Sequence, residues 1–122
     1  MLLDSNIVIY AALPEHAGLR RFIAEHSPAV SVITYIEVTG YHRLSQEDQI
    51  LLAQFFQATE ILPLTEGVVE WAVTLRKRRR MSLADAIIAG TALAHARTLV
   101  THNTQDFRWI TELAVLDPLA EG

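Results

Sequence analysis

The chain has 122 residues, of which 51% are hydrophobic, so it is long enough for a buried core and too apolar for an intrinsically disordered protein. It contains no cysteine, which excludes disulfides and thiolate metal sites, and its apolar runs are far shorter than the roughly 18 residues that span a bilayer. The formal net charge is −4, but five of the ten basic residues form one run, Arg76, Lys77, Arg78, Arg79 and Arg80, so the electrostatic field is uneven.

Short apolar runs alternate with helical patterns from the first residue onward. The opening MLLDSN lacks the basic region of a signal peptide, so we expect a cytoplasmic protein. Residues 1–3 are predicted to be a buried strand, and 6–13 and the segment around 19–23 to be helices. Residues 29–33 are predicted to be a second strand, with Thr34 as the cap of the next helix. Ser45 and Asp48 have the spacing of a capping box.

The second half of the chain continues the same alternation. The helix after Ser45 has an apolar stripe made of Leu51, Leu52, Phe55 and Phe56. The later predicted elements are a strand at 60–64, a helix at 66–80, a helix from the capping box at 82–85 to about 96, a strand at 98–101, a loop at 102–106, a short helix near Trp109 and an edge strand at 114–116. In the helix at 66–80, we expect the inward side chains to be Val68, Val69, Ala72 and Leu75.

Strands that alternate with helices predict an α/β domain over residues 1–122. Its central sheet should be mostly parallel, have about five strands and carry helices on both faces. In such sheets, ligands bind beyond the carboxyl ends of the strands. Functional side chains are therefore expected where the predicted strands end.

Four acids interrupt stretches of apolar or small residues: Asp4, Glu37, Asp85 and Asp106. A carboxylate beside buried apolar groups loses hydration, which is costly unless another group compensates its charge. No lysine or arginine is close in sequence to Asp4, Glu37 or Asp85. Three of the acids follow predicted strands, whereas Asp85 lies at a helix start. A shared divalent cation is one possible compensation, if strand order brings the four together.

Two segments carry a family resemblance. LLDSNIVIY resembles the opening of PIN-domain nucleases, and RMSLADAIIAGTAL followed by TLVTHNTQDF resembles their third and fourth acidic blocks. The whole chain is most similar to the toxin component of VapBC toxin–antitoxin modules, which are small ribonucleases. This resemblance implies a three-layer α/β/α PIN-like fold, an RNA substrate, a small antitoxin whose C-terminal segment occupies the site, and usually a homodimer.

The resemblance also implies roles for individual residues. Asp4, Glu37, Asp85 and Asp106 would be the catalytic acids that bind Mg²⁺ or Mn²⁺. The polar residues that border such a site would be Asn6, Thr101 and Asn103. The chain departs from the family pattern at Ser5, where threonine is commoner, although a hydroxyl is retained. Some relatives have an acid at the position of Asn103, so the amide makes a weaker ligand there.

The chemistry that these residues suit is metal-dependent endonucleolytic cleavage of RNA without a covalent intermediate. A bound divalent cation lowers the pKa of its water and neutralises the phosphoryl oxygens, and hard cations prefer oxygen ligands. The basic run at 76–80 suits contact with the RNA backbone, or equally a solvated helix end that the helix dipole stabilises. His102 is close enough to the site in sequence to contact substrate.

Structural roles and other functions stay open at this stage. Asp4 and Asp85 suit helix capping, Glu37 an exposed helical position, and Asp106 a turn. A receiver-like phosphoacceptor domain has a similar length, but it needs an acidic pair after the first strand, and Ser5 and Asn6 follow Asp4 here. A haloacid-dehalogenase-type phosphatase needs an aspartate where Asn6 stands. A catalytically inactive PIN-fold binding module is a further alternative.

Overall fold

The computed structural model describes residues 1–120. Its centre is a sheet of five strands, β1 (Leu2–Leu3), β2 (Ala29–Ser31), β3 (Ile61–Leu62), β4 (Leu99–Val100) and β5 (Val115–Leu116). All neighbouring strands are parallel, and their spatial order is β3-β2-β1-β4-β5. The predicted α/β class and the edge position of the last strand are therefore confirmed.

Strand register sends alternate side chains to opposite faces of the sheet. Leu2 of β1 pairs with Ala29 and Leu99 of its two neighbours. These three side chains are buried in one apolar cluster, and the side chains of the next register row, which begins at Leu3, are buried in another. The short strands thus contribute to two separate cores, as a sheet covered on both faces requires.

Helices cover both faces and complete the three layers. They are α1 (Ser5–Ala11), α2 (Ala17–His26), α3 (Val32–Thr39), α4 (Gln46–Gln57), α5 (Glu66–Arg78) and α6 (Leu83–Ala94). Side chains of α1 to α4 belong to the core on the face of Leu3, and those of α5 and α6 belong to the core on the face of Leu2. This architecture is the predicted three-layer α/β/α arrangement.

Helix α6 lies close against α5 because of a glycine. A Cβ built on Gly90 would stand 2.9 Å from the carbonyl oxygen of Val68 and 3.2 Å from the backbone nitrogen of Ala72. The missing side chain therefore allows the two helix backbones to approach each other. Their close packing fixes the position of the start of α6, where Asp85 lies.

Hydroxyl side chains begin several helices. The side chains of Ser45 and Ser82 accept hydrogen bonds from the backbone nitrogens of Asp48 and Asp85, so both predicted capping boxes have their serine cap. Thr65 caps α5 in the same way. The basic residues Arg76–Arg78 lie in the last turn of α5, as predicted.

The prediction for the cap of α3 was wrong. Ser31 is the cap, because its Oγ accepts the backbone N–H of Ile33 at 3.2 Å. The second strand therefore ends at Ser31, and Ile33 lies in the helix. The run of β-branched residues favoured a longer strand in the sequence, but the serine hydroxyl accepts one of the N–H groups that a helix start exposes. Thr34 is instead buried within α3.

Other predictions differ from the structure in detail. Val69 and Leu51 are 43% and 45% exposed, because each lies beside the buried stripe of its helix rather than on it. Helix α5 ends at Arg78, so the last two arginines of the basic run follow it. The predicted short helix near Trp109 lies earlier, as a 3-10 turn at Thr104–Asp106 inside the predicted loop. No helix in residues 1–120 combines the length and apolarity needed to cross a membrane.

Candidate active site

Asp4 lies at the carboxyl end of β1, the middle strand of the sheet. Its side chain is only 5% exposed. One carboxylate oxygen, Oδ1, accepts the backbone N–H of Ser5 at 2.7 Å, and the other, Oδ2, accepts the hydroxyl of Thr101 at 2.8 Å. Thr101 in turn accepts the backbone N–H of Asn103 at 3.0 Å. These contacts fix the orientation of a buried carboxylate but do not neutralise it.

Glu37 is held beside this carboxylate by Ser5. The hydroxyl of Ser5 donates to Oε1 of Glu37 at 2.8 Å, and it lies 3.0 Å from the hydroxyl of the buried Thr34. Glu37 points outward from α3, and one carboxylate oxygen is thus tied to the first residue of α1. The sequence pattern alone did not show which way Glu37 faces. The hydrogen bond from Ser5 shows that Glu37 faces α1.

Asp85 and Asp106 come from the opposite face of the sheet. Asp85 is half-buried in the first turn of α6, where its backbone N–H donates to Ser82 Oγ at 3.1 Å. Asp106 is exposed on the 3-10 turn that follows β4. Its backbone carbonyl accepts the indole N–H of Trp109 at 3.0 Å, which anchors the turn and leaves the carboxylate at the surface.

Burial and neighbouring acids change the pKa values of Asp4 and Asp85. Burial is the main cause that raises the pKa of Asp4, its two hydrogen bonds lower it, and the charges of Asp85 and Glu37 raise it further. Burial also raises the pKa of Asp85, the Ser82 hydrogen bond lowers it, and the charges of Asp106 and Glu37 raise it. Glu37 and Asp106 are therefore close enough for their charges to affect at least one of these two carboxylates, and the four acids lie at one end of the sheet. We call this group the acidic site.

The chemistry of the acidic site fits a hard divalent cation. Among the ion pairs within residues 1–120, none involves an acid of this site. The buried negative charge is thus uncompensated by any lysine or arginine there. No three acidic or histidine side chains in this part of the chain stand in the arrangement that direct ligands of one ion adopt. Mg²⁺ usually keeps several waters and is bound through only one or two carboxylates, so it does not require three direct protein ligands.

The three supporting residues of the prediction occupy different positions. Thr101 is fully buried and donates to Asp4, so it adjoins the acidic site directly. Asn103 is tied to Thr101 by its backbone rather than by its amide, which is exposed. Asn6 is half-buried in the first turn of α1, and within residues 1–120 its amide makes no hydrogen bond to another side chain.

Two supporting hydroxyls were not among the predicted site residues. Ser5 connects two carboxylates, because its backbone N–H donates to Asp4 and its hydroxyl donates to Glu37. Thr34 lies beside the Ser5 hydroxyl and is fully buried. A signal was present, because Ser5 follows Asp4 directly and a buried hydroxyl must find a partner. The spacing of 32 residues between Ser5 and Glu37 hid the contact from any local pattern.

The basic run comprises the last turn of α5 and the first two residues after it. Arg78 forms an ion pair with Glu112 at 2.9 Å, which lowers the pKa of that carboxyl. The guanidinium of Arg79 lies 5.5 Å from the ring centre of Trp109. Every member of the run is exposed. Two of its five cations thus already have protein partners, and whether the run contacts RNA stays a prediction.

The comparisons with known proteins agree with this architecture. A family model described as PIN domain matches residues 1–113. A chain of a toxin–antitoxin complex from Klebsiella pneumoniae is 27% identical, with 98% of each chain covered and a TM-score of 0.80. A chain of VapBC-1 from nontypeable Haemophilus influenzae is also 27% identical, with 98% of each chain covered and a TM-score of 0.78.

More distant structures support the fold alone. A chain of DNA-bound VapBC from Salmonella typhimurium has a TM-score of 0.84 at 20% identity, with 96% of each chain covered. No curated protein sequence matches the chain significantly. The family match spans nearly the whole chain, so the receiver-like and phosphatase-like alternatives lose their basis.

Proposed function

This chain belongs to the PIN domain family, and we propose that it is a metal-dependent endoribonuclease that acts as the toxin of a toxin–antitoxin pair. Family membership and the similar solved structures confirm the resemblance that the two sequence segments predicted. The observation that carries the proposal is the acidic site itself. Burial and neighbouring carboxylates raise the pKa values of Asp4 and Asp85, and no basic side chain in residues 1–120 forms an ion pair with any of the four acids.

In this proposal, the chain divides the work between buried and exposed acids. Mg²⁺ or Mn²⁺, when bound, would supply an activated water and neutralise charge on the phosphoryl group. Asp4 and Asp85 are the less exposed acids and would hold the cation. Hydrogen bonds from Thr101 and from the backbone of Ser5 hold the Asp4 carboxylate in one orientation. Because the carboxylate is already oriented, the protein has less to rearrange during the reaction.

The exposed acids face the space where substrate would lie. Oε1 of Glu37 accepts a hydrogen bond from the Ser5 hydroxyl, so Oε2 is the oxygen that would orient an attacking water or accept its proton. Asp106 approaches from the other side on the 3-10 turn after β4. Hydrolysis by a water oriented between these groups needs no covalent enzyme intermediate. The leaving oxygen would receive its proton from solvent.

The proposal includes a protein partner. An acidic site without its own basic residue attracts an arginine from another chain. The similar structures from Klebsiella pneumoniae and Haemophilus influenzae are a toxin–antitoxin complex and a VapBC assembly. We infer that an antitoxin inhibits this chain by inserting a basic side chain among the four acids. We also expect a homodimer, and activity in the cytoplasm, where the RNA is.

The direct test is RNA cleavage by the purified chain, freed of any co-purified inhibitor. We expect cleavage of total RNA with Mg²⁺, loss of cleavage with EDTA, and recovery when Mn²⁺ or Mg²⁺ is restored. Asp85→Asn should lower the rate by at least about 100-fold, because removing even an outer-shell metal contact costs 10–100-fold. Glu70→Gln, which neutralises an exposed acid on α5, should leave the rate unchanged. Cleavage that ignores EDTA or Asp85→Asn would refute the proposal.

A further inference from the structure

Three aromatic and imidazole rings form a row beside the acidic site. The ring of Tyr10 lies between those of His16 and His102, with centroid distances of 5.8 Å and 6.2 Å. Tyr10 and His16 are half-buried, and His102 is exposed. We call this surface the ring row. None of its members takes part in the proposed hydrolysis, so its chemistry is unassigned.

The ring row starts next to the catalytic carboxylate. His102 directly follows Thr101, whose hydroxyl donates to Asp4. Tyr10 lies on α1, five residues after Ser5, which corresponds to about 7.5 Å along the helix axis. From the acidic site, the row therefore leads over the carboxyl-terminal half of α1 toward the beginning of α2. The basic run lies at the end of α5, which packs on the opposite face of the sheet.

The imidazole of His102 is oriented by a carboxylate. Its Nδ1 lies 3.1 Å from Oδ2 of Asp117, and Asp117 is itself fixed by the backbone N–H of Leu119 at 2.9 Å. A carboxylate only accepts, so the proton of a neutral His102 ring belongs on Nδ1. Nε2 then presents a lone pair, and in residues 1–120 no side chain or backbone group is bonded to it. The His102 side chain is 49% exposed, so this edge is accessible.

The far end of the row is rigid as well. Arg20 donates to the carbonyl oxygens of Ala11 and Leu13 at 2.9 Å and 2.6 Å, which fixes the turn between α1 and α2. His16 closes this turn, and its carbonyl accepts the backbone N–H of Leu19 at 3.1 Å. A surface held in this way loses little conformational entropy when a ligand binds to it.

We propose that the ring row binds an unpaired segment of the RNA substrate next to the cleaved phosphodiester. This inference rests on the proposed nuclease function. Bases of any identity stack on aromatic faces, and Nε2 of His102 is placed to accept a ribose 2′-hydroxyl, which DNA lacks. The chain has net charge −4, and half of its basic residues are in the run at 76–80. At the three rings, stacking and the hydrogen bond to His102 would supply the contacts with RNA, and Arg20 at the far end of the row is a neighbouring cation.

The test compares variants that keep or remove a ring. Tyr10→Leu removes the central ring and should raise KM for single-stranded RNA on the order of tenfold, with kcat unchanged, since stacking is lost equally in ground and transition states. Tyr10→Phe keeps the ring and serves as the matched control, with an unchanged KM expected. His102→Phe keeps an aromatic face but loses Nε2, so it should reduce the preference for RNA over DNA of the same sequence. Thermal melting of each variant shows whether it is folded.

Binding measured apart from cleavage separates the two proposals. A labelled single-stranded RNA hexamer, titrated against the chain and followed by fluorescence anisotropy, reports on the ring row even if the chain cleaves nothing. Cleavage by the wild type with an unchanged KM in folded Tyr10→Leu and an unchanged RNA preference in His102→Phe would overturn the ring row alone. Weaker antitoxin binding by Tyr10→Leu, with unchanged RNA affinity, would also overturn it and assign the surface to the protein partner.

Discussion

At the scale of single residues, the main feature is a buried acid that the fold orients but does not neutralise. Asp4 accepts two hydrogen bonds, and both lower its pKa, yet burial and the neighbouring acids raise it. A chain selected only for stability would replace such a residue or pair it. The acidic site therefore opposes stability, and we interpret it as a site whose charge is compensated by a ligand.

The variant Asp85→Asn tests whether an acid of this site lowers the stability of the folded chain, through the pH dependence of that stability. The folded pKa of Asp85 is raised above its unfolded value of about 3.9, so between those two values the folded chain binds more protons than the unfolded chain. The destabilising effect of Asp85 is therefore absent below the unfolded pKa and grows as pH rises through the folded one. In EDTA at pH 7.5, we expect urea to unfold Asp85→Asn at a higher concentration than wild type.

The difference between the two midpoints should shrink as pH falls toward about 4. Asparagine keeps the size of the side chain and the backbone N–H that donates to Ser82, so the comparison isolates the charge. Glu112→Gln is the control, because the pKa of Glu112 shifts in the opposite direction: the contact with Arg78 lowers it. This control variant should not raise the urea midpoint at pH 7.5. An Asp85→Asn variant less stable than wild type at pH 7.5 in EDTA would show that the carboxylate is not under strain.

At the scale of elements, the site depends on where helices begin. Ser31, Ser82 and Asp4 stand at the starts of α3, α6 and α1, and those helices carry or border the acids. The serine of each capping box was visible in the sequence because its partner is three residues away. The cap of α3 was missed because Ser31 lies inside a β-branched run, and its helical continuation depends on packing against both neighbouring layers.

The end of α5 gives a prediction at the same scale. If the basic run contacts the RNA backbone, replacing Arg76, Lys77 and Arg80 with glutamine should weaken RNA binding and flatten its dependence on salt concentration, by about one unit of slope for each lost phosphate contact. Arg78 and Arg79 stay in place because they contact Glu112 and Trp109. The measurement is RNA affinity between about 50 and 200 mM salt. An unchanged slope would show that the run is a solvated helix end.

At the scale of the whole molecule, parallel strand order turns a scattered set of acids into one site. The sequence predicted that Asp4 and Asp106 follow strands, because apolar runs and polar breaks are local signals. It did not predict that β1 is central or that β4 lies beside it, since strand order depends on packing between distant segments. The contact of Ser5 with Glu37 is hidden for the same reason. The prediction that the four acids form one site came from the family resemblance and not from hydrophobic periodicity.

The most direct measurement of the central claim is Mn²⁺ binding by isothermal titration calorimetry. The wild type should bind the ion, and Asp4→Asn and Asp85→Asn, which remove the two carboxylates proposed to hold it, should bind it at least about tenfold more weakly. Glu37→Gln and Asp106→Asn should weaken binding less, because each removes only a neighbouring negative charge. Glu70→Gln should bind as the wild type does. Four variants with unchanged Mn²⁺ affinity would contradict the account, because the carboxylates would then not act on a common cation.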